Sequence, residues 1–280
     1  MTSLIPPQKQ ITAFDNLDWQ GAVMVDSNSN LEATSVLLLP EIIEQAPILK
    51  VLRDKRNKIW NIDSNLGLLT IKLNRSEGLR KLGYYFKNSK GQRHWDNAIS
   101  MLERGVNTPF PLAYFARHQR SGIEDSYYIT DFIDNAFSSR DVFASINAGD
   151  SSYRGIDHAM LLKHLADFIC NMHDQGILHR DLSSGNVLLT HNDDDIQLYY
   201  IDIGRAKTMN KLSTRQRLVD LMRICYKLPW SGREELINYY NAKLGHNVSI
   251  FWPLAVRYYI AKQKSKRFVK SGFKSTKKKL

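Results

Sequence analysis

From His179 to Leu189 the chain reads HRDLSSGNVLL, and after a short polar gap it reads YYIDIGRAK from Tyr199 to Lys207. This pair of segments limits the possible folds more than any other feature. The apolar runs after Gly185 and before Asp202 are too short for helices and read as two strands joined by a polar turn. Asp181 follows a long helical pattern. Asn186, five residues later, returns toward it across a tight loop through Gly185, and Asp202 leaves a strand end just ahead of Gly204. A helix-capping Asp, a turn Asn and an unrelated second Asp would use the same residues. Against that reading, four positions match in one fixed frame, with an apolar–Asp–x–Gly sequel at a suitable distance.

The rest of the chain divides around this feature. Residues up to about Ala46 form a polar lead-in and then LEATSVLLLPEIIEQAP, read as a short helix or two interrupted at Pro40. ILKVLRDKRNKIWNI and LGLLTIKLNR are rich in apolar and β-branched residues around a turn-like DSNLG, which predicts antiparallel strands. RHWDNAISMLERG has helical spacing and stops at Gly105. PLAYFARHQ and SYYITDFID return to strand. HAMLLKHLADFICNMHDQG, RQRLVDLMRICYKL and REELINYYNAKLG predict three helices. Strands with one helix followed by mostly helices predict an α+β, bilobal architecture with a cleft. The expected parts are an N-terminal extension (1–46), a sheet lobe (47–134), a helical lobe (135–256) and a basic tail (257–280).

Phosphoryl transfer from ATP needs a carboxylate near the accepting hydroxyl, oxygen ligands for Mg²⁺ and a cation on the non-reacting phosphates. Asp181, Asn186 and Asp202 can supply the first two. Here the chain resembles the protein-kinase-like superfamily, whose H-R-D-L-x-x-x-N and D-F-G motifs stand as HRDLSSGN and DIG. The resemblance implies an antiparallel-sheet N-lobe and a mostly helical C-lobe. It also implies a phosphate-neutralising lysine, which LLTIKLNR supplies as Lys72, and an inter-lobe connection at Asp131, Phe132 and Ile133 bordering adenine. Asp181 would accept the hydroxyl proton, and Asn186 and Asp202 would hold magnesium.

The chain departs from the family pattern in two places. The position that normally carries the lysine's glutamate partner is His94, with Asp96 and Glu103 as alternative carboxylates. The expected glycine-rich phosphate loop is replaced by RDKRNK, so Arg53, Lys55 and Arg56 either hold phosphates by charge or form a solvated hairpin tip. His179 reads as a buried packing residue. Asp220 reads either as a brace for the catalytic-loop backbone or as a solvent-facing acid.

After DIG the chain enters a helix almost at once, without A-P-E or room for a peptide platform, and Ser183 stands where protein kinases usually carry lysine or alanine. A small molecule or sugar is therefore the expected acceptor. Within the superfamily the sequence resembles the bacterial lipopolysaccharide core kinases, the Kdo/WaaP family, over roughly residues 48 to 230. The pattern W-x-N-x-x-x-x-L-x-x-x-G-x-x-T-P-x-P-L-A from Trp95 to Ala113 and Arg205 in DIGRAK carry much of that resemblance. It implies ATP- and Mg²⁺-dependent phosphorylation of a Kdo (3-deoxy-D-manno-octulosonic acid) or heptose hydroxyl on the inner-core glycolipid. The alternatives are another small-molecule kinase, an atypical protein kinase, or a nucleotide-binding regulatory pseudokinase.

Ten basic residues and no acid follow from Arg257 onward, so ten of the eleven net positive charges belong to the tail. With Phe268, Val269 and Phe273 interleaved, that composition suits an anionic inner-membrane surface or simply solubilises the end of the chain. Nucleic acid is disfavoured because the body is near neutral and the aromatics are sparse. Cys170 and Cys225 sit inside apolar helical patterns and read as buried thiols, and no apolar run is long enough to span a bilayer. The expected location is cytoplasmic, peripheral at the inner membrane.

Overall fold

The computed structural model describes residues 2–26, 37–54, 57–75, 88–117, 125–192 and 195–276, with the side chains of 267–276 outside that description. The chain divides into two compact units. Unit 1 comprises Met1–Ala136 with Tyr199–Ala206, and unit 2 comprises Phe137–Leu198 with Lys207–Leu280.

Unit 1 is built on seven antiparallel strands: β1 (Lys9–Asp15), β2 (Trp19–Asp26), β3 (Ile48–Asp54), β4 (Asn57–Ser64), β5 (Gly67–Asn74), β6 (Pro111–Arg117) and β7 (Ser126–Asp131). Their order across the sheet is β1-β2-β6-β7-β5-β4-β3. The strands expected from ILKVLRDKRNKIWNI, LGLLTIKLNR, PLAYFARHQ and SYYITDFID are present. The polar lead-in supplies β1 and β2 as well, which its sequence did not announce. Asn16 closes their turn: its Oδ1 accepts from the amides of Asp18 and Trp19 at 2.9 and 2.7 Å. β2 then buries Trp19, Val23 and Val25 against the sheet. Leu37 is helical, the chain turns at Leu38 and Leu39, and Pro40 opens α1 (Pro40–Ile43) at its first position, where its missing N–H costs nothing; the preceding residues 31–36 lie outside the described residues.

Strand alternation gives the sheet two different faces. On one, Trp60, Ile62, Leu69, Ile71 and Ile129 form a buried core with Trp19 of β2 and with Leu38 and Ile43, which pack onto that face. The other face carries Lys72, Tyr114 and Tyr128 and receives α2 (Lys90–Glu103). Ser89 caps α2 by accepting from the Gln92 amide at 3.0 Å. Its buried positions, Gly91, His94, Trp95, Ala98, Met101 and Leu102, recur at helical spacing. Gly91 allows close approach to the sheet, since a Cβ there would fall 2.5 Å from the Tyr127 carbonyl oxygen.

Unit 2 follows with β8 (Phe137–Ser138), α3 (Ser139–Ala148), the small hairpin β9 (Ser152–Tyr153) and β10 (Ile156–Asp157), and α4 (His158–Asp174). β11 (Ile177–Leu178), β12 (Val187–Asn192) and β13 (Asp195–Tyr200) come next, and the last two residues of β13 pass into unit 1. β14 (Lys207–Thr208), α5 (Thr214–Cys225), α6 (Trp230–Leu244) and α7 (Trp252–Thr276) complete the chain. All three predicted helices are present, and the basic run from Arg257 is carried on α7.

Where α4 packs on α6, a polar network runs from the buried His173 and Tyr240 out to the exposed Asp174. His173 Nδ1 meets the Tyr240 hydroxyl at 2.9 Å, and Arg217 donates to that hydroxyl and, at 2.8 Å, to Asp174. Cys170 and Cys225 are free and buried, with burial first among the influences that push both thiols up to about 12.

Candidate active site

In unit 1, β5 presents Lys72 on the face that receives α2, and little of its side chain reaches solvent. Its Nζ donates to Asp202 Oδ1 at 2.6 Å and to His94 Nε2 at 2.8 Å. His94 Nδ1 lies 2.7 Å from the Lys90 carbonyl oxygen, which can only accept. The ring proton is therefore on Nδ1, leaving Nε2 as the acceptor for the lysine. Burial and then the neighbouring Lys72 charge hold His94 below its ordinary pKa, so the imidazole is neutral. Lys72 thus has a neutral partner in His94, and Asp202 supplies the negative charge. Neither Asp96 nor Glu103 takes that part.

Asp202 itself is held well below the usual carboxylate range; with His94 Nε2 unprotonated, the Lys72 ammonium at 2.6 Å is the group that does this, against the opposing effect of burial. Lys72 is lowered by burial, with Asp202 opposing. Asp202 adopts the left-handed backbone conformation at φ 56° and caps the short 3₁₀ turn of Ile203–Arg205. Gly204 is required by packing: a Cβ there would stand 2.4 Å from His94 Cε1. Asn97 Nδ2 donates to the Ile203 carbonyl at 2.8 Å, and Thr108 Oγ1 donates to the Tyr200 carbonyl at 2.7 Å. The NTP segment and α2 thereby fix the metal-motif turn. These supporting roles of Asn97 and Thr108 were not visible in the sequence.

Asp131 ends β7 opposite Leu69, so its side chain lies on the sheet face away from Lys72. There it lines a pocket of about 490 Å³ with Lys9 and Leu38. Its amide donates to the Phe110 carbonyl and that of Phe132 to the Leu68 carbonyl. Arg53 lies at the end of β3, while Lys55 and Arg56 fall outside the described residues.

In unit 2, β11 leads into the catalytic loop. His179 is fully buried, and Arg180 is left-handed at φ 64°. Asp220 on α5 accepts from the amides of His179 at 2.7 Å and Arg180 at 3.1 Å, the bracing role that was one of its two sequence readings. Asn186 Nδ2 donates to the Asp181 carbonyl at 2.8 Å, closing the loop and bringing these two residues together. With its nitrogen so used, Asn186 offers Oδ1 as a hard oxygen donor, and Asp202 offers an ionised carboxylate. The described residues contain no cluster of three or more His, Cys, Asp or Glu side chains that could hold a metal. Mg²⁺ bound mainly through substrate phosphates needs only one or two such oxygens, and the Asn186 amide oxygen and the Asp202 carboxylate are each of the kind that ion takes.

The lipopolysaccharide kinase (Kdo/WaaP) family model matches residues 63–240. Among solved structures, the protein in "WaaP in complex with acyl carrier protein" is 18% identical with a TM-score of 0.53, covering 84% of this chain and 91% of that one. The Rio2 kinase of Chaetomium thermophilum, in its ADP/Mg²⁺-phosphoaspartate complex, is 14% identical with a TM-score of 0.46, covering 91% and 82%. A calcium/calmodulin-dependent protein kinase type 1 of Caenorhabditis briggsae is 35% identical over 57 residues, 20% of this chain and 16% of its own length. The sheet-based N-terminal part and helical C-terminal part are those of a protein-kinase-like fold.

Proposed function

The chain belongs to the lipopolysaccharide kinase (Kdo/WaaP) family and is a kinase, and on that footing we propose that it transfers the γ-phosphoryl group of Mg-ATP to a Kdo or heptose hydroxyl of the lipopolysaccharide inner core. The observation that carries this reading is the 2.6 Å contact of Lys72 with Asp202, which joins the two motif residues whose chemistry phosphoryl transfer requires. Asp181 orients the acceptor hydroxyl and takes its proton as the sugar oxygen bonds to phosphorus in line with the departing ADP oxygen. Lys72 neutralises the α and β phosphates. His94 holds that ammonium without adding a competing negative charge. Asn186 and Asp202 would hold Mg²⁺, which would supply charge neutralisation on the phosphate oxygens. The backbone at Asp131, Phe132 and Ile133 borders the adenine.

The test is transfer of labelled γ-phosphate to purified Kdo-containing and heptose-containing lipid A precursors. Label is expected on one of them, and Asp181→Ala should lower its rate by about 10²–10⁴-fold. If ATP binds and neither glycolipid is labelled, a nucleotide-binding regulatory protein becomes the better reading.

The same proposal places the protein in the cytoplasm at the inner-membrane surface. Among the described residues no helix is long and apolar enough to cross a membrane. In support of surface binding, Leu254 and Tyr258 on α7, with Ile250 and Phe251 just before it, are strongly exposed. Arg257, Lys262, Lys264 and Lys266 are exposed on the same helix. The interleaving at Phe268, Val269 and Phe273 lies outside the described side chains. Co-sedimentation with vesicles containing anionic lipid, but not with neutral vesicles, is expected. Replacing Leu254 and Tyr258 with serine should weaken it, and equal recovery of wild type and variant would sink the membrane reading.

A further inference from the structure

The transfer mechanism gives no role to a guanidinium that lies beside the catalytic loop. Arg140 stands in the first turn of α3, exposed to solvent, with the Nη2 end of its guanidinium toward Gly185. A Cβ built on Gly185 would fall 2.1 Å from Arg140 Nη2, 2.8 Å from Cζ and 3.2 Å from Nε. Gly185 is absent from the residues with positive φ, so its backbone does not demand glycine. The built Cβ meets the movable end of an exposed side chain, so what the approach records is that the Arg140 tip lies beside the loop at Gly185.

The arginine is tied to the reacting end of the loop from both sides. Ser139, just before it, donates from Oγ to the Ser184 carbonyl at 2.7 Å. Asn186, just after Gly185, donates to the Asp181 carbonyl at 2.8 Å. Asp141, the acid nearest to Arg140 in sequence, is engaged in the helix cap, accepting from the Ser138 amide and hydroxyl at 2.9 and 2.7 Å. Among the described residues no carboxylate forms an ion pair with Arg140. A cation in the first helical turn also opposes the helix dipole, so the position is electrostatically unfavourable until an anion arrives.

We propose that Arg140 binds an anionic group of the acceptor, carboxylate or phosphate, through the outer edge of its guanidinium, and so selects acidic sugars for the hydroxyl that Asp181 activates. A planar fork of donors suits either O–C–O or O–P–O. This inference rests on the sugar-kinase reading above. The approach to Gly185 sets the guanidinium beside the loop that carries Asp181 and Asn186.

Steady-state transfer by the full chain and by Arg140→Ala tests it, using three acceptors: the acidic glycolipid, its carboxyl methyl ester and a form lacking the neighbouring phosphate. Arg140→Ala is expected to raise the acceptor KM about ten- to a hundredfold while leaving the ATP KM unchanged, with partial recovery in Arg140→Lys. The acceptor lacking the recognised anion should show the same loss with the unsubstituted chain and no further loss with Arg140→Ala. Sensitivity to the ester identifies a carboxylate, and sensitivity to the missing phosphate identifies a phosphate. An unchanged acceptor KM, or an equal loss on all three acceptors, overturns the inference and leaves the kinase reading standing. Absence of transfer by the unsubstituted chain to any acceptor overturns both.

Discussion

Asp202→Ala is expected to lower phosphate transfer by about a thousandfold or more while the chain still folds and ATP binding remains measurable. The residue is asked to do two things at once. Its carboxylate is the anionic ligand proposed for Mg²⁺, and its Oδ1 takes the ammonium of Lys72 at 2.6 Å. Without it, burial has no opposing charge to keep Lys72 protonated, and the remaining partner is the neutral ring of His94. Asp202→Asn separates the two effects from shape, since it keeps the contacts and removes the charge. Both variants should fail in transfer and share a weakened response to added magnesium. His94→Ala should be milder, because the Lys72–Asp202 contact survives it. Steady-state transfer against magnesium concentration makes the comparison. If Asp202→Asn kept near-normal turnover, Asp202 would not be the metal ligand.

The second large effect is on stability. Asp220→Ala is expected to remove about 3–5 kcal/mol, the usual cost of taking one partner from a buried charged network. Asp220 is completely buried and accepts from two backbone amides of the catalytic loop and from Arg223 Nη1 at 3.1 Å, with His173 Nε2 3.8 Å away. Deleting it strands the amides of His179 and Arg180, the latter in a left-handed conformation that few other contacts enforce. The same network sets the direction of pH dependence. Burial lowers the His173 pKa from 6.5 despite the attraction of Asp220. Burial raises Asp220, but the His173 ring and the loop amides outweigh it, so the net shift is downward from 3.8. Each folded value lies below its unfolded one, so the unfolded chain binds more protons and stability rises with pH. Stability should therefore start to fall as pH drops below about 6.5, through His173, and fall further below about 3.8, through Asp220. Denaturant midpoints measured from pH 8 to pH 4 should show this slope, flattened near pH 6 in His173→Phe. A midpoint unchanged by Asp220→Ala would mean that the loop does not depend on its brace.

Much of the fold was legible because its strands and helices carry their own periodicity. β4 and β5 pair in an unbroken ladder, and α2 repeats apolar residues at helical spacing, so neither required knowledge of distant segments. The lead-in strands were not legible for the opposite reason. β1 has only partial or exposed positions, and β2 becomes a strand by pairing with β6, about ninety residues away in the chain. Asp181, Asn186, Asp202 and Lys72 could be named because spacing within two motifs and one strand identifies them. The partner of Lys72 could not: His94 lies on the apolar face of α2 beside Trp95 and Ala98, where a histidine reads as packing, and its role depends on Gly204 from a distant turn. Arg140 belongs to no motif, and its meaning comes from its contact with Gly185.

Lys72 and the carboxylate that neutralises it are 130 residues apart, and the strip carrying that carboxylate, Tyr199–Ala206, returns to unit 1 after much of unit 2 has intervened. Chains emerging from the ribosome usually complete their N-terminal unit first. This one cannot. While only its first 136 residues have been made, Lys72 can have the His94 ring beside it but not yet the carboxylate that keeps it charged. Unit 1 lacks its 199–206 strip until that stretch has been added. Lys72 therefore waits through 130 residues of synthesis for its partner.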